Sequence, residues 1–147
     1  MNISMEESDK IFADSNYFIA LSHPDDAHYE KAVLAAVDLE REKVILVVSN
    51  YIFLEVVTVL AQKRGKNVSV EAGKYMLNDP RIEHIHIDDA LQSDTWSIFQ
   101  NVQKKNMSFV DCSILAVIKS EGIKHLLTFD EKDFQPLQKR FSFSLYG

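Results

Sequence analysis

Apolar and polar positions follow two different periods along this chain, and the changes of period divide it into alternating strands and helices. Short apolar runs and strict alternation of apolar with polar residues predict strands, whereas apolar residues spaced three and four apart predict helices. Strands are predicted by these criteria at residues 10–14, 44–48, 82–87, 125–129 and 141–145. Helices are predicted at residues 15–21, 26–41, 50–64, 67–77, 88–105 and 110–121.

This alternation predicts the fold class. Strands that alternate with helices favour a mainly parallel sheet with helices on both of its faces. The uninterrupted apolar run at 44–48 is typical of a strand that is covered on both faces. At 147 residues the chain has the length of one domain, predicted at 10–147 after a flexible tail at 1–9.

Composition and charge narrow the functional classes. A net charge of -6 argues against a broad basic surface for nucleic acid, although it leaves open an enzyme whose metal ions supply positive charge locally. The single cysteine excludes an internal disulfide and favours the cytoplasm. No signal segment is predicted, and polar residues interrupt the apolar stretch at 44–61, so no membrane partner is expected.

Four carboxylates stand where the predicted elements would bring them together. Asp14 and Asp130 each end a predicted strand, Asp111 lies near the start of a helix, and Glu55 is the only charged residue in the stretch 44–61. In parallel sheets of this kind, ligands bind at the carboxyl ends of the strands. An isolated charge among apolar residues is costly, so Glu55 in particular requires a partner.

Each aspartate also has a structural interpretation. Asp14 could cap the helix that begins at Ser15, and Ser108 and Asp111 have the spacing of a capping box. Asp130 and Asp133 could form an Asx turn. As a group, however, carboxylates raise each other's pKa unless a cation is present. Oxygen ligands favour Mg²⁺ or Mn²⁺, and acidic sites with such ions commonly hydrolyse phosphodiesters.

Three segments that contain these acids resemble one family. FADSNYFIAL, SNYIFLEVVTVL and MSFVDCSILAVIKSEGIKHLLTFDEKDF are similar to the PIN-domain nucleases, and most similar to the VapC-like toxins among them. The resemblance covers residues 10–134. It implies a three-layer α/β/α sandwich, Mg²⁺- or Mn²⁺-dependent cleavage of RNA, a homodimer and, for the toxin branch, a cognate antitoxin.

The same resemblance assigns roles to individual residues. Metal-binding and catalytic roles carry over to Asp14, Glu55, Asp111 and Asp130. Asp133 is an alternative for the last of these acids, and the other supporting residues are Ser15, Asn16, Ser108 and Thr128. The chain departs from the family pattern after Phe134, where the glycine expected before the final strand is missing.

Other interpretations remain open at this stage. A PIN-like domain without catalysis would act as a binding module, and a receiver-like signalling domain would need an acidic pair where the first strand ends in Asp14 alone. His84 and His86 share one face of a predicted strand, where exposure is favoured over metal binding. Trp96 and Phe99 lie three apart on a helix, which favours a core or dimer contact over a base-stacking surface.

Overall fold

The central sheet in this computed structural model, which describes residues 10–102 and 106–147, is entirely parallel. Its strand order is β3-β2-β1-β4-β5. The five strands are β1 (Lys10–Ala13), β2 (Ile45–Ser49), β3 (Ile82–Ile85), β4 (His125–Leu127) and β5 (Ser144–Leu145). Phe12 at the centre pairs with Val47 on one side and Leu126 on the other.

Helices connect every pair of consecutive strands. In the described residues they are α1 (Ser15–Leu21), α2 (Tyr29–Arg41), α3 (Asn50–Lys63), α4 (Lys66–Asn78), α5 (Asp89–Asn101), α6 (Phe109–Glu121), α7 (Glu131–Phe134), a 3₁₀ turn (Gln135–Leu137) and α8 (Gln138–Phe141). The crossovers from β1 to β2 and from β2 to β3 run in one direction along the sheet, and those from β3 to β4 and from β4 to β5 run in the other. Because parallel crossovers are right-handed, the two sets of helices cover opposite faces. The predicted α/β/α sandwich is therefore confirmed.

The core lies on both sides of the central strands. Ile11, Phe12 and Ala13 of β1 are inaccessible to solvent, since two strands flank β1 and helices cover it. In α6 every residue from Cys112 to Ile118 is buried, so this helix is the most enclosed of those described. Within the described residues, no helix is both long enough and apolar enough to span a bilayer.

Most predicted elements are confirmed within a few residues. Ser49 caps α3 by accepting a hydrogen bond from the Ile52 N–H (3.2 Å), and Gly122 ends α6 in the left-handed conformation (φ 64°). The predicted helix at 88–105 ends at Asn101, and residues 103–105 lie outside the described part of the chain. The predicted tail at 1–9 lies outside it as well.

The predicted last strand at 141–145 is confirmed only in its last two residues. Phe141 ends α8, the chain turns at Ser142, and only Ser144–Leu145 pair with β4. Phe141 and Phe143 are both buried, so the apolar alternation arises from a helix end that packs both rings inward. The three short helical segments between Glu131 and Phe141 were not predicted, because each is only three or four residues long.

Ser142 stands just before the last strand, in the segment where this chain lacks the glycine that the family pattern has. Its φ of 57° and ψ of 52° place it in the left-handed region, which costs an L residue about 1 kcal/mol. We expect Ser142→Gly to raise the free energy of unfolding by about 0.5 kcal/mol, after allowance for the greater freedom of glycine in the unfolded chain. Denaturant titration measures this effect, with exposed Ser120→Gly as a destabilising control inside α6. A lower midpoint for Ser142→Gly would contradict the assignment.

Candidate active site

The carboxyl edge of the sheet is where the predicted acids lie. Asp14 directly follows β1, and its N–H still donates to the Leu127 carbonyl of β4 (2.9 Å), so the two strand ends are held side by side. Asp14 is 2% exposed. A carboxylate this deeply enclosed requires hydrogen-bond donors or a cation.

Both oxygens of Asp14 accept hydrogen bonds. Oδ1 accepts from the Ser15 N–H (2.7 Å), and Oδ2 accepts from the Thr128 hydroxyl (2.7 Å). The interpretation of Asp14 as a helix cap is confirmed, because Asp14 is the N-cap residue of α1. The contact with Thr128 adds a fixed orientation that capping alone would not give.

Thr128 connects the supporting residues to one another. Its hydroxyl oxygen accepts from the Asp130 N–H (3.0 Å) and from the Asn16 side-chain amide (3.3 Å). Asn16 in turn accepts from the Phe129 N–H (3.2 Å). The polar residues after β1 and after β4 thus form a single network that sets where Asp14 and the start of the Asp130 loop lie.

Glu55 joins this network from another helix. The Ser15 hydroxyl donates to Glu55 Oε1 and lies 3.4 Å from Asp14 Oδ1, so one serine stands between two carboxylates. Glu55 is half-buried, on the face of α3 that looks toward α1. The lone charge in the apolar stretch therefore lies at the rim of the core with a hydroxyl partner.

Asp111 is held by its own helix. Ser108 and Asp111 form the predicted capping box, with two reciprocal hydrogen bonds of 3.0 Å. Burial raises the pKa of Asp111, and the charges of Asp130 and Glu55 raise it further. Asp111 therefore both caps α6 and interacts electrostatically with the other acids.

Among the four predicted acids, Asp14 has the most strongly shifted pKa. Burial raises its pKa from 3.8 to about 7 against the opposing effect of the Thr128 hydrogen bond, and the charges of Asp111 and Asp130 raise it further. Asp111 and Asp130 raise the pKa of Asp14, and Asp130 and Glu55 raise that of Asp111, so each of the four predicted acids is linked to at least one other. They form one electrostatic unit, which we call the acid cluster: Asp14, Glu55, Asp111 and Asp130.

Asp130 is the N-cap residue of α7, in the loop that follows β4. Asp130 affects the pKa of both Asp14 and Asp111. The predicted Asx turn is wrong, because the Asp130 side chain makes no capping bond and the turn is closed by the Asp133 N–H and the Asp130 carbonyl (3.1 Å).

The acid cluster fits a hard divalent ion in charge and in donor type. Within the described residues, no three Asp, Glu, His or Cys side chains are close enough to form a complete metal site. Mg²⁺ does not need one, because it commonly keeps several waters and binds one or two carboxylates together with substrate phosphates. Burial and neighbouring negative charges disfavour the ionised form of these carboxyl groups, and a bound cation would stabilise that form.

Two contacts at this edge were not predicted from the sequence. The His28 ring stacks on Phe129, with 4.9 Å between centroids and 18° between planes, and the Tyr51 ring lies 6.3 Å from that of Phe109. His84, considered above as a metal ligand, instead has Nε2 at 2.9 Å from the Met76 carbonyl. The two ring contacts join residues far apart in the chain, so local sequence carries no signal for them.

Comparison with known proteins decides the family. The family model of the PIN domain matches residues 11–139. The chain belongs to the PIN-domain family. The strand order also excludes a receiver-like domain, since that class has the order 2-1-3-4-5.

This PIN-domain protein is similar to characterised toxins. It is 27% identical over 121 residues to the 23S rRNA-specific endonuclease VapC20 of Mycobacterium tuberculosis, covering 82% of this chain and 88% of that one. The crystal structure of VapC20, a sarcin–ricin loop cleaving toxin, superposes with a TM-score of 0.75 at 26% identity, covering 86% and 93% of the two chains.

More distant structures share the fold. VapBC2 from Rickettsia felis, bound to a DNA fragment from its promoter, gives a TM-score of 0.67 at 14% identity, covering 93% of this chain and 97% of that one. A toxin–antitoxin complex from Klebsiella pneumoniae gives 0.59 at 20% identity, covering 84% and 89%.

The raised pKa of Asp14 predicts a pH dependence of stability in metal-free buffer. The pKa of Asp14 is about 7 in the folded protein, above the ordinary value of 3.8, so the folded state binds the Asp14 proton more tightly than the unfolded state does. The stability gained from this proton is complete below pH 3.8 and is lost as the pH rises through 7. We expect the free energy of unfolding to fall by about 2.5 kcal/mol between pH 5 and pH 8 in EDTA. Asp14→Asn should flatten this change, whereas exposed Asp25→Asn should not. An equal slope in Asp14→Asn and the wild type would contradict it.

Proposed function

We propose that this PIN-domain protein is a metal-dependent endoribonuclease whose acid cluster holds one or two Mg²⁺ or Mn²⁺ ions. The observation that carries the proposal is the Ser15 hydroxyl between Asp14 and Glu55, at the edge of the sheet where Asp111 and Asp130 also act on Asp14. When bound, a divalent ion supplies positive charge at the scissile phosphate and lowers the pKa of an attacking water.

The protein's own residues prepare this site before RNA arrives. Thr128 and the Ser15 N–H hold Asp14 in one orientation, Ser15 Oγ holds Glu55, and Ser108 holds Asp111. Fixed carboxylates need little reorganisation when a cation binds, which favours catalysis by preorganised charge. A protein with a net charge of -6 repels a polyanion such as RNA, and a cation bound at this edge would offset that repulsion locally.

RNA is the proposed substrate because of the similarity to VapC20. The relative acts on 23S rRNA, and the alignment to it spans most of both chains. A hairpin that carries the sarcin–ricin loop is therefore the first substrate to assay. Discrete products in Mn²⁺ and none in EDTA would support the proposal, whereas a folded protein that binds RNA without cleaving it would be the silent module instead.

An antitoxin and a second copy of the chain are the proposed protein partners. The toxin–antitoxin complexes among the structural neighbours support the antitoxin, since the fold they share with this chain is one that antitoxins bind. Exposed aliphatic residues on α3 and α4 supply surface for protein contacts: Leu54 (63%), Val70 (40%) and Leu77 (62%). We expect a dimer by light scattering at micromolar concentration, and a monomer throughout would contradict the homodimer.

Ser15→Ala tests the bridge between the two carboxylates. The backbone bond from Ser15 to Asp14 stays, so the helix cap and the fold should survive while Glu55 loses its partner. We expect RNA cleavage to fall about 10- to 100-fold, as for other residues that orient metal ligands. Ser22→Ala is the matched control, because Ser22 is the cap at the other end of α1 and its hydroxyl donates to the Phe18 carbonyl (2.7 Å) rather than to a carboxylate. Equal activity of the two variants would argue against the bridge.

A further inference from the structure

The His28 ring lies nearly flat against the ring of Phe129, just after the chain leaves β4. The two centroids are 4.9 Å apart, and the ring planes differ by 18°. Phe129 stands between Thr128, which donates to Asp14, and Asp130. The stack therefore covers the short segment 128–130 that leads from the sheet edge to Asp130, and we call this segment the Asp130 loop.

His28 presents its ring from a fixed backbone. Its N–H donates to Asp26 Oδ1 (2.8 Å), and its carbonyl accepts from the Ala32 N–H (2.9 Å). Ala32 is inaccessible to solvent and packs in the core. His28 is the N-cap residue of α2, yet its side chain makes no capping bond, unlike the serine, threonine, asparagine and aspartate side chains that usually cap helices. The helix thus gains nothing from this ring, which packs on Phe129 instead.

The Asp130 carboxylate is placed by the path of the main chain. The Asp130 side chain makes no capping bond, whereas Asp14 and Asp111 are each held by hydrogen bonds to their carboxylates. The Asp130 backbone is held, because its N–H donates to the Thr128 hydroxyl (3.0 Å). Any restraint on the Asp130 loop is therefore a restraint on where the Asp130 carboxylate lies.

The inner side of the Asp130 loop is held by a hydrogen bond and its outer side by the ring stack. On the inner side, the Phe129 N–H donates to the Asn16 side chain (3.2 Å). On the outer side, Lys31 and Leu34 of α2 leave the space beside the loop unfilled, since they line a cavity of about 290 Å³ together with Phe129. Because close packing is missing there, the His28 ring is placed to keep Phe129 from moving outward into that cavity.

We propose that His28 is a positioning residue of the acid cluster, whose ring fixes Phe129 and thereby the place of the Asp130 carboxylate. This inference rests on the proposed ribonuclease function and adds a residue of α2 to those that prepare its metal site. His28 acts through Phe129, since the charges that raise the pKa of Asp14 and Asp111 belong to other acids of the cluster. Loss of the ring should therefore weaken cation binding although every carboxylate remains.

Direct binding of Mn²⁺ measures this effect without RNA. The electron paramagnetic resonance signal of free Mn²⁺ weakens as the ion binds, so a titration gives the Kd for the folded protein. We expect His28→Ala to raise this Kd about tenfold, at the lower end of the range for groups that orient metal ligands. The Mn²⁺ concentration for half-maximal RNA cleavage should rise by the same factor, while the rate at saturating Mn²⁺ stays close to that of the wild type.

Rescue by a second ring separates stacking from the chemistry of imidazole. His28→Phe keeps a flat ring against Phe129 and should bind Mn²⁺ as the wild type does. His28→Gln keeps a polar side chain without a ring and should lose as much affinity as His28→Ala. Leu34→Ala is the matched control, because Leu34 lies on the same helix and lines the same cavity while its loss leaves the stack in place.

A double variant tests whether His28 works through Phe129. If both side chains contribute one shared contact, His28→Ala combined with Phe129→Leu should bind Mn²⁺ no more weakly than Phe129→Leu alone. Additive losses in the double variant would contradict this route. Circular dichroism of each variant verifies that the fold is retained.

The outcomes distinguish this inference from the proposed function. Wild-type Kd for Mn²⁺ in both His28→Ala and His28→Gln, or equal losses in His28→Ala and His28→Phe, would overturn the role of His28 and leave the proposed function in place. A folded wild type that binds no Mn²⁺ would instead overturn the proposed function and this inference with it.

Discussion

Glu55→Gln is expected to leave the fold intact and to reduce RNA cleavage by orders of magnitude. Glutamine keeps the shape of the side chain and can still accept from the Ser15 hydroxyl, so α1 and α3 should remain in contact. What is lost is one negative charge toward the proposed ion, whose charge stabilisation is worth several kcal/mol at the transition state. Cleavage should be measured at limiting Mn²⁺, together with circular dichroism to verify folding.

Rescue by metal separates weak occupancy from a broken site. Higher Mn²⁺ should restore part of the Glu55→Gln activity, because the remaining carboxylates of the acid cluster are still in place. Glu121→Gln, at the exposed end of α6, is the matched control and should cleave at the wild-type rate. Wild-type cleavage by Glu55→Gln at limiting metal would show that Glu55 is not a ligand.

Asp14→Asn should raise the melting temperature of the metal-free protein and remove its response to metal. The substitution keeps one of the two acceptor oxygens, which can still cap α1 at the Ser15 N–H, and deletes a buried charge that Asp111 and Asp130 repel. At pH 8 we expect a gain of several degrees, since about 1 kcal/mol corresponds to roughly 2–4 °C for a domain of this size.

The wild-type protein, unlike Asp14→Asn, should be stabilised by metal. An ion that binds only the folded state adds about 2.7 kcal/mol at a hundred times its Kd, so millimolar Mn²⁺ should raise the wild-type melting temperature by several degrees. Asp25→Asn should keep this response, as Asp25 is exposed in the loop after α1. A wild-type melting curve that millimolar Mn²⁺ does not move would contradict a formed site.

The sequence predicts the fold well where local signals and packing agree. The bounds of α1 are correct because Asp14 caps the helix and Ser22 ends it. The last strand is predicted to start three residues too early, because Phe141 and Phe143 are both buried although the backbone turns between them at Ser142. Apolar alternation reports which side chains point inward, and it cannot distinguish a strand from a helix end that achieves the same burial.

The acids of the candidate site could be predicted as a group, whereas their contacts could not. A parallel sheet gathers residues at its carboxyl edge, so the positions of Asp14 and Asp130 follow from the strand ends. The Ser15 contact with Glu55 spans forty residues and depends on how α1 packs against α3. The ring contacts of Phe109 with Tyr51 and with Phe99 likewise depend on three helices meeting, which no local spacing encodes.

Metal-dependent cleavage of RNA is the central claim, and one incubation tests it most directly. Purified wild-type protein is mixed with a sarcin–ricin hairpin in Mn²⁺ or in EDTA, beside Asp111→Asn under the same conditions. We expect discrete products for the wild type in Mn²⁺ and none in the other reactions. Equal cleavage in EDTA, or by Asp111→Asn, or intact RNA after incubation with folded wild type in Mn²⁺, would contradict it.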